Sequence, residues 1–199
     1  MRVLAFSDLH AARARAADLV VAARDADMVI GAGDFCNMRQ GLDQAMRLLD
    51  GIEVPLVVVP GNAESDRELI AASALGTHVL HGGAAEFDGI RLFGLGYGVP
   101  VTPFGDWSCD LTEAQAANML DTCAQADILI THSPPKGVAD VTSGGQSVGS
   151  TAIRAAIERI QPRLALCGHI HDSWGQEGVI GATRVVNLGP TPNWFEVAV

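Results

Sequence analysis

Short apolar runs alternate along the chain with longer Ala- and Leu-rich stretches, which is the pattern of an α/β sheet. The runs predict five strands, several of them apolar almost throughout, as expected of strands covered on both faces. The predicted strands are Arg2–Phe6, Met28–Gly31, Val54–Val59, Ile128–Thr131 and Arg163–Cys167. The stretches between them predict helices near Ala12–Asp25, Gln40–Asp50, Asp66–Ala74, Glu113–Gln125 and Thr151–Ile160.

Two of the predicted helices begin with a capping box, in which a Ser or Thr stands three residues before a Glu or Gln. Ser65 pairs in this way with Glu68, and Thr112 pairs with Gln115. We therefore expect each helix to begin at the residue after the Ser or Thr.

Further strands are predicted outside these five. The segment Glu86–Tyr97 carries Asp88-Gly89 between apolar flanks, which is a hairpin signal. Val179–Asn187 and Trp194–Val199 also have the composition of strands, and we expect them to be antiparallel additions. The expected architecture is therefore mixed rather than purely parallel.

Composition favours one α/β domain over residues 1–199, because 48% of the residues are apolar, 5% are aromatic and 22 are Gly. No apolar run reaches the length of about 18 residues that a membrane span needs. Ser7-Asp8 interrupts the apolar start before it could act as a secretion signal, so we expect a cytoplasmic protein. The net charge of −10 argues against a broad nucleic-acid-binding surface and is compatible with a small phosphate ester.

Each of the five strands is followed at once by residue types that bind metals. The strand ends read Asp8-Leu9-His10, Gly33-Asp34, Gly61-Asn62, Thr131-His132 and Gly168-His169-Ile170-His171. Ligands bind at the carboxyl ends of strands in open α/β sheets, because the loops there converge. Two residues that stand two positions apart lie on one side of an extended segment, and a preceding Gly lets the backbone approach closely.

The seven candidate ligands form a mixed oxygen and nitrogen set. They are Asp8, His10, Asp34, Asn62, His132, His169 and His171. Such a set suits Mn, Fe, Zn, Ni or Co better than Mg or Ca. Seven ligands are too many for one tetrahedral ion and enough for two ions that share a carboxylate, which is the usual clamp for displacement at phosphorus. Each motif alone also occurs in ordinary polar turns. The two-metal site is therefore indicated by the occurrence of all five motifs in this order.

These motifs resemble those of the calcineurin-like metallophosphoesterases, in the order D-x-H, G-D, G-N-x-E, T-H-x-P-P and G-H-x-H. The similarity is greatest to the small Icc-related phosphoesterases, which also share Val148-Gly149-Ser150, Gln161-Pro162 and Asn187-Leu188-Gly189. The resemblance implies a four-layer α/β/β/α sandwich with mixed sheets and two divalent metal ions at one sheet edge.

Carried over position by position, the resemblance implies one metal bound by Asp8, His10, Asp34 and His171. It implies a second metal bound by Asp34, Asn62, His132 and His169, so that Asp34 bridges the two. A hydroxide shared by both metals is the implied nucleophile. The catalytic residues are then Asp34, Asn62 and His132, and Mn is the metal expected to serve best in vitro.

One position departs from the family pattern. The family usually has a His after the Asn, assigned to stabilise the phosphate or protonate the leaving group, whereas this chain has Ala63. General acid catalysis contributes about 10²–10⁴-fold. We therefore expect slow turnover of alkyl esters and better tolerance of good leaving groups such as aryl phosphates.

The loop over residues 142–150 is a second candidate for holding the substrate phosphate. It is rich in backbone N–H and hydroxyl donors, and it leads into a predicted helix whose N-terminus favours an anion. We expect Ser147, Gly149 and Ser150 to bind substrate together with Asn62. An ordinary capped loop is the competing interpretation.

Other residues are expected to have supporting or structural roles. Asn187-Leu188-Gly189 is expected to support the ligands from behind. His78 and His81 precede the predicted hairpin and are expected to be exposed surface residues. The four cysteines form no C-x-x-C pair, and Cys36 and Cys167, near the ligands, are expected to be buried free thiols.

The leading hypothesis is a metal-dependent phosphoesterase acting on a small-molecule or nucleotide substrate. A phosphodiesterase is favoured over a phosphatase because no Arg or Lys motif marks a site for a monoester dianion, although Arg39 and Lys136 lie near ligands in the chain. The alternative is a slow or non-catalytic phosphate- or nucleotide-binding sensor that keeps the metals without an acid at Ala63. A DNA nuclease subunit is disfavoured by the acidity. We expect no membrane partner, and the sequence leaves the oligomeric state open.

Overall fold

Two β-sheets face each other across an apolar layer, and helices cover the outer face of each sheet. The computed structural model describes residues 1–198. In these residues the strands are β1 (Arg2–Phe6), β2 (Met28–Gly31), β3 (Leu56–Val58), β4 (Thr77–Val79), β5 (Gly83–Phe87), β6 (Ile90–Leu95), β7 (Ile128–Thr131), β8 (Leu164–Cys167), β9 (Glu177–Ile180), β10 (Thr183–Asn187) and β11 (Asn193–Glu196). The helices are α1 (Arg13–Ala23), α2 (Leu42–Arg47), α3 (Asp66–Ala72), α4 (Glu113–Leu120), α5 (Thr151–Ile160) and a 3-10 turn over His171–Ser173.

Strand β1 shows how the sequence produces these layers. Its side chains alternate in direction, so Val3 and Ala5 enter the layer between the sheets while Leu4 and Phe6 pack against the helices outside. All four side chains are buried, which explains why the strand is apolar throughout. A third apolar cluster fills the space between the second sheet and helices α4 and α5. The expected four-layer α/β/β/α sandwich is confirmed.

The first sheet has the strand order β11-β1-β2-β3-β4, in which β11 alone is antiparallel to its neighbour. The second sheet has the order β5-β6-β7-β8-β10-β9, with antiparallel strands at both edges. Both sheets are therefore mixed, as expected. The five strands predicted to carry ligands are divided between them, with β1, β2 and β3 in the first sheet and β7 and β8 in the second.

The prediction of one antiparallel strand over Val179–Asn187 is wrong. The chain forms two strands there and turns between them at Gly181, whose φ is +59°. A side chain at this Gly would collide with that of Gln161. Strand β9 is the antiparallel one, and β10 runs parallel to β8.

The remaining local predictions are confirmed in position, but α2 and α4 span only 6 and 8 residues and are shorter than predicted. Both capping boxes are present, and Asp88-Gly89 turns the hairpin between β5 and β6. The strand predicted over Trp194–Val199 is β11, and Val199 lies outside the described residues. Strand β4 was not predicted, since three residues carry little periodic signal. None of the helices in residues 1–198 is long and apolar enough to cross a membrane.

Candidate metal centre

The seven predicted ligands lie together where the carboxyl ends of β1, β2, β3, β7 and β8 meet. We call these seven residues the ligand cluster: Asp8, His10, Asp34, Asn62, His132, His169 and His171. Two glycines allow the segments to approach, as the sequence predicted. A Cβ at Gly61 would overlap the Asp34 carboxylate, and a Cβ at Gly168 would lie 2.5 Å from Asp8 Oδ2.

One part of the ligand cluster contains Asp8, His10 and His171. Their ligand atoms all lie within 4.8 Å of one another. The two imidazole Nε2 atoms are 3.3 Å apart, and His171 Nε2 is 3.6 Å from Asp8 Oδ1. This grouping agrees with three of the four ligands that the resemblance implies for one metal.

The other part surrounds the buried imidazole of His132. Its Nε2 lies 3.1 Å from Asn62 Oδ1 and 3.4 Å from Asp34 Oδ1. The His169 ring is close by, with its centroid 4.9 Å from that of His132. Asp8 also belongs to this part by distance, because its carboxylate lies within 4.8 Å of the ligand atoms of Asp34 and His132.

Asp34 connects the two parts through its two carboxylate oxygens. Oδ1 lies 3.4 Å from His132 Nε2, whereas Oδ2 lies 3.6 Å from His10 Nε2. The backbone N–H of Ala63 donates to Oδ1 at 2.8 Å and so holds the carboxylate in this orientation. The arrangement is that of a carboxylate placed to be shared by two cations.

Backbone carbonyls determine which ring nitrogen is available in two of the histidines. His10 Nδ1 lies 2.9 Å from the Cys36 carbonyl, and His132 Nδ1 lies 2.8 Å from the Ala32 carbonyl. A carbonyl can only accept, so Nδ1 is the donor and a neutral ring has its lone pair on Nε2. When the His132 ring is neutral, its Nε2 and Oδ1 of Asn62 are two acceptors 3.1 Å apart with no hydrogen between them. A cation fits this contact, so the donor set suits a metal ion.

The charges in the ligand cluster also suit a cation. Burial raises the pKa of Asp34 to about 7, and the charge of Asp8 adds to the rise. Burial also opposes ionisation of Asp8, but the neighbouring imidazoles of His171 and His132 outweigh it and lower its pKa. Burial lowers the pKa of His169 to about 3, so this imidazole is neutral as a metal ligand must be.

Glu64 is a functional residue whose role was not predicted. Its buried carboxylate accepts the backbone N–H groups of Asp34, Phe35 and Gly61 at 2.7–3.3 Å. It thereby ties the loop after β2 to the loop after β3, and these two loops carry Asp34 and Asn62. The motif G-N-x-E contains this Glu, but its contacts with Asp34 and Phe35 join parts of the chain about thirty residues apart.

The expected support from Asn187 is present. Its Nδ2 donates to the carbonyls of Gly168 and Ile170, which flank His169. Trp174 was not predicted and also supports the site, because its indole N–H donates to Asp8 Oδ2 at 3.0 Å. Both residues orient ligand segments rather than contribute ligand atoms.

The structure does not bring Ser147, Gly149 and Ser150 into the cavity beside the ligand cluster. The N-terminus of α5 is occupied by the carboxylate of Glu113, which accepts from the N–H groups of 151 and 152 and from Ser150 Oγ. The hydroxyl of Ser147 and the N–H of Gly149 both donate to Asp140 Oδ2. These groups are therefore bonded within the protein, and substrate binding by Ser147, Gly149 and Ser150 stays a prediction.

Two histidines outside the cluster differ from each other. His78 on β4 is exposed, as expected. His81 is half-buried instead, because its ring packs on Tyr97 with centroids 4.2 Å apart and its Nδ1 accepts the N–H of Gly96. Cys36 and Cys167 are buried free thiols, as expected.

A cavity of about 340 Å³ opens beside the ligand cluster. Its lining residues are His10, Asp34, Asn62, Phe104, Trp107, Thr142, His169, Ile170, His171 and Asp172. This volume is in the range of small-molecule sites. The lining brings the candidate metal ligands together with Phe104 and Trp107 from the segment before α4 and with Thr142.

The side chain of Asn62 is oriented by a hydrogen-bonded chain from the loop before α4. Asn62 Nδ2 donates to Ser108 Oγ at 3.0 Å, and that hydroxyl donates to Asp110 Oδ1 at 2.9 Å. The amide is thereby held with Oδ1 toward His132. Ser108 is therefore a positioning residue for a candidate ligand.

We expect Ser108→Ala to raise the Mn²⁺ concentration needed for half-maximal binding by about tenfold, because loss of such a supporting contact typically costs 10–100-fold in affinity. Calorimetric titration of the metal-free protein measures this. The exposed Ser143 provides the matched control, Ser143→Ala. Equal Mn²⁺ affinities in the two variants would contradict the positioning role.

The fold and the ligand cluster define a two-sheet α/β protein with a candidate dimetal centre. A sequence model of the Calcineurin-like phosphoesterase superfamily domain matches residues 1–196. The chain belongs to the calcineurin-like phosphoesterase superfamily, whose members generally bind two divalent metals.

Relatives and solved structures are consistent with this membership. A UPF0046 protein of Caenorhabditis elegans is 36% identical over 105 residues, which are 49% of this chain and 26% of that protein. The human metallophosphoesterase domain-containing protein 1 is 40% identical over 98 residues, 46% of this chain and 29% of that protein. These matches cover less than a third of either relative.

Among solved structures, a protein of Thermus thermophilus superposes with a TM-score of 0.76 at 18% identity, covering 98% of this chain and 97% of that chain. A dimetal phosphatase from Danio rerio superposes with a TM-score of 0.64 at 15% identity, covering 96% and 88%. At these identities the likeness shows the fold alone.

Proposed function

We propose that the protein hydrolyses a small phosphodiester at a centre of two divalent metal ions held by the ligand cluster. The observation that supports this most strongly is Asp34, whose two oxygens face imidazoles in separate parts of the cluster. Asp8, His10 and His171 are proposed to hold one ion with Asp34, and Asn62, His132 and His169 the other. Bound there, two divalent ions supply an activated water and neutralise charge on the phosphoryl group.

The residues of the chain have separable tasks in this proposal. Asp34 carries the negative charge between the two parts of the cluster, and the Ala63 N–H keeps its orientation. His132 and Asn62 present lone pairs toward the same point, because the Ala32 carbonyl and the Ser108 hydroxyl engage their other polar atoms. Asp34, Asn62 and His132 therefore remain the proposed catalytic residues.

The cavity lining favours a diester over a monoester. No Arg or Lys lines the cavity among the described residues. Arg39 is paired with Glu68 at 2.7 Å, and the Lys136 ammonium donates to the Ser147 carbonyl. A diester carries one negative charge and a monoester dianion two, so a monoester would gain more from a side-chain cation beside the metals, and these side chains do not provide one.

Turnover of bis-p-nitrophenyl phosphate by the Mn²⁺-loaded protein tests the proposal. We expect kcat/KM to exceed that for p-nitrophenyl phosphate by about tenfold, the effect of roughly 1.4 kcal/mol in transition-state binding. A higher kcat/KM for the monoester would overturn the diester preference. No turnover of either ester at full metal occupancy would overturn hydrolysis itself.

A phosphate-binding sensor is the second candidate, and Ala63 is the observation that favours it. Ala63 is 1% exposed and packs in the apolar layer beneath α1, α2 and α3, so position 63 offers the cavity no proton donor. A larger side chain there would also overpack this layer, so Ala63→His is a poor probe. Tight binding of a phosphate ester without turnover, with both metals bound, would identify the sensor.

A further inference from the structure

Two aromatic side chains lie parallel in the loop that precedes α4. The rings of Phe104 and Trp107 have centroids 5.6 Å apart and planes inclined by 9°. Phe104 is 49% exposed even though one face is against Trp107. An exposed, preformed aromatic face of this kind is a surface on which a flat ring can stack.

The aromatic pair belongs to the cavity beside the ligand cluster. Phe104 and Trp107 line that cavity together with His10 and Asp34. The Phe104 ring also approaches the His169 ring in an edge-to-face arrangement, with 6.3 Å between centroids and 67° between planes. A molecule whose phosphoryl group lies at the ligand cluster therefore has its remaining part within reach of the pair.

The loop is held in place relative to a candidate ligand. The N–H of Cys109 donates to the Asn62 carbonyl at 2.9 Å, and Asp110 accepts from both Thr102 and Ser108. Trp107 packs against the apolar layer beneath α1, α2 and α3. The aromatic face is thus preorganised, which reduces the ordering cost of binding.

We propose that Phe104 and Trp107 form an aromatic platform that stacks the base of a nucleoside phosphoester. This inference rests on the proposed function, and it assigns the substrate class. A base fits better than a lipid chain or a sugar, because parallel stacked rings favour a flat π surface. Asp172 adds an acidic group to the lining, and no Arg or Lys lines it among residues 1–198. A single phosphoryl group therefore fits better than a polyphosphate.

Binding of two ligands that differ only in the base tests the platform. Adenosine 5′-monophosphate and ribose 5-phosphate share the sugar and the phosphate, and calorimetry on the Mn²⁺-loaded protein measures each affinity. We expect the nucleotide to bind about tenfold more tightly, since stacking of one base on an aromatic side chain is typically worth a factor of this order or more.

Two substitutions at Phe104 provide the comparison. Phe104→Leu keeps an apolar side chain but removes the ring, and we expect the nucleotide preference to fall to within about twofold. Phe104→Tyr keeps the ring, and we expect it to retain the preference. Binding of ribose 5-phosphate should be the same in all three proteins.

Three results would overturn the platform. They are no nucleotide preference in the unmodified protein, a preference that survives Phe104→Leu, and equal weakening of both ligands by that substitution. Turnover of bis-p-nitrophenyl phosphate is measured on the same samples. Hydrolysis without a nucleotide preference would reject the platform and leave the proposed hydrolase activity standing. A Phe104-dependent preference without hydrolysis would support the platform and reject the hydrolase activity.

Discussion

Asp34→Asn is expected to lower kcat/KM for bis-p-nitrophenyl phosphate by about 1,000-fold or more. The substitution preserves shape and lets Oδ1 still accept from the Ala63 N–H, but it removes the charge shared by the two parts of the ligand cluster. Loss of metal-centred charge stabilisation costs several kcal/mol, and about 4 kcal/mol corresponds to 1,000-fold. Steady-state kinetics with Mn²⁺ measures the loss.

The same substitution should not destabilise the metal-free fold. Asp34 and Asp8 are buried like charges, and the charge of Asp8 contributes to the raised pKa of Asp34. Removing one charge relieves this repulsion, so the metal-free variant should melt at the same temperature or higher. Asp18→Asn, on the exposed face of α1, is the matched control. It should change neither kcat/KM nor the melting temperature. An Asp34→Asn protein with near-normal kcat/KM would exclude the bridging role.

Removal of divalent metal is expected to abolish turnover, and added Mn²⁺ to restore it. It should also lower the thermal stability, because the buried carboxylates then lack a counter-ion. A ligand at 100 times its Kd stabilises the native state by about 2.7 kcal/mol. For a chain of this size that corresponds to about 5–10 °C in Tm, which calorimetry of the chelator-treated and Mn²⁺-loaded proteins measures.

The control for metal removal is the Asp34→Asn variant, which should show a smaller rise in Tm on addition of Mn²⁺ because it lacks the shared carboxylate. Elemental analysis of each sample gives the metal content per chain. Unchanged turnover and Tm after metal has been reduced to a trace level would contradict a metal centre.

Much of the site follows from local sequence. The apolar strands are buried on both faces, and each ends where a ligand residue type begins, because a strand that leaves the core must end in groups that tolerate polar surroundings. Val3 and Leu4 show the first property, and Asp8 after β1 shows the second. The capping boxes at Ser65 and Thr112 could also be predicted from the sequence, because their hydrogen bonds join residues only three positions apart.

Contacts between segments that lie far apart in the chain could not be predicted from the local sequence. The loop over residues 142–150 has the composition of an anion site, yet Glu113 occupies the helix N-terminus from 37 residues away. Glu64 stands in a recognised motif, but its role depends on N–H groups about thirty residues away. No sequence pattern predicted the pairing of Phe104 and Trp107, because their stacking and their place beside His169 arise from the folded loop.

The sequence by itself determined the main strands and the seven candidate ligands, because strand periodicity and short motifs are local properties of the chain. The four layers were implied only by the resemblance of these motifs to those of a known family. The tertiary structure decided that β1, β2 and β3 lie in one sheet and β7 and β8 in another, so that the ligand cluster lies where two sheets meet. It also decided which oxygen of Asp34 faces which imidazole. These features depend on packing between residues far apart in the chain, and no local pattern encodes them.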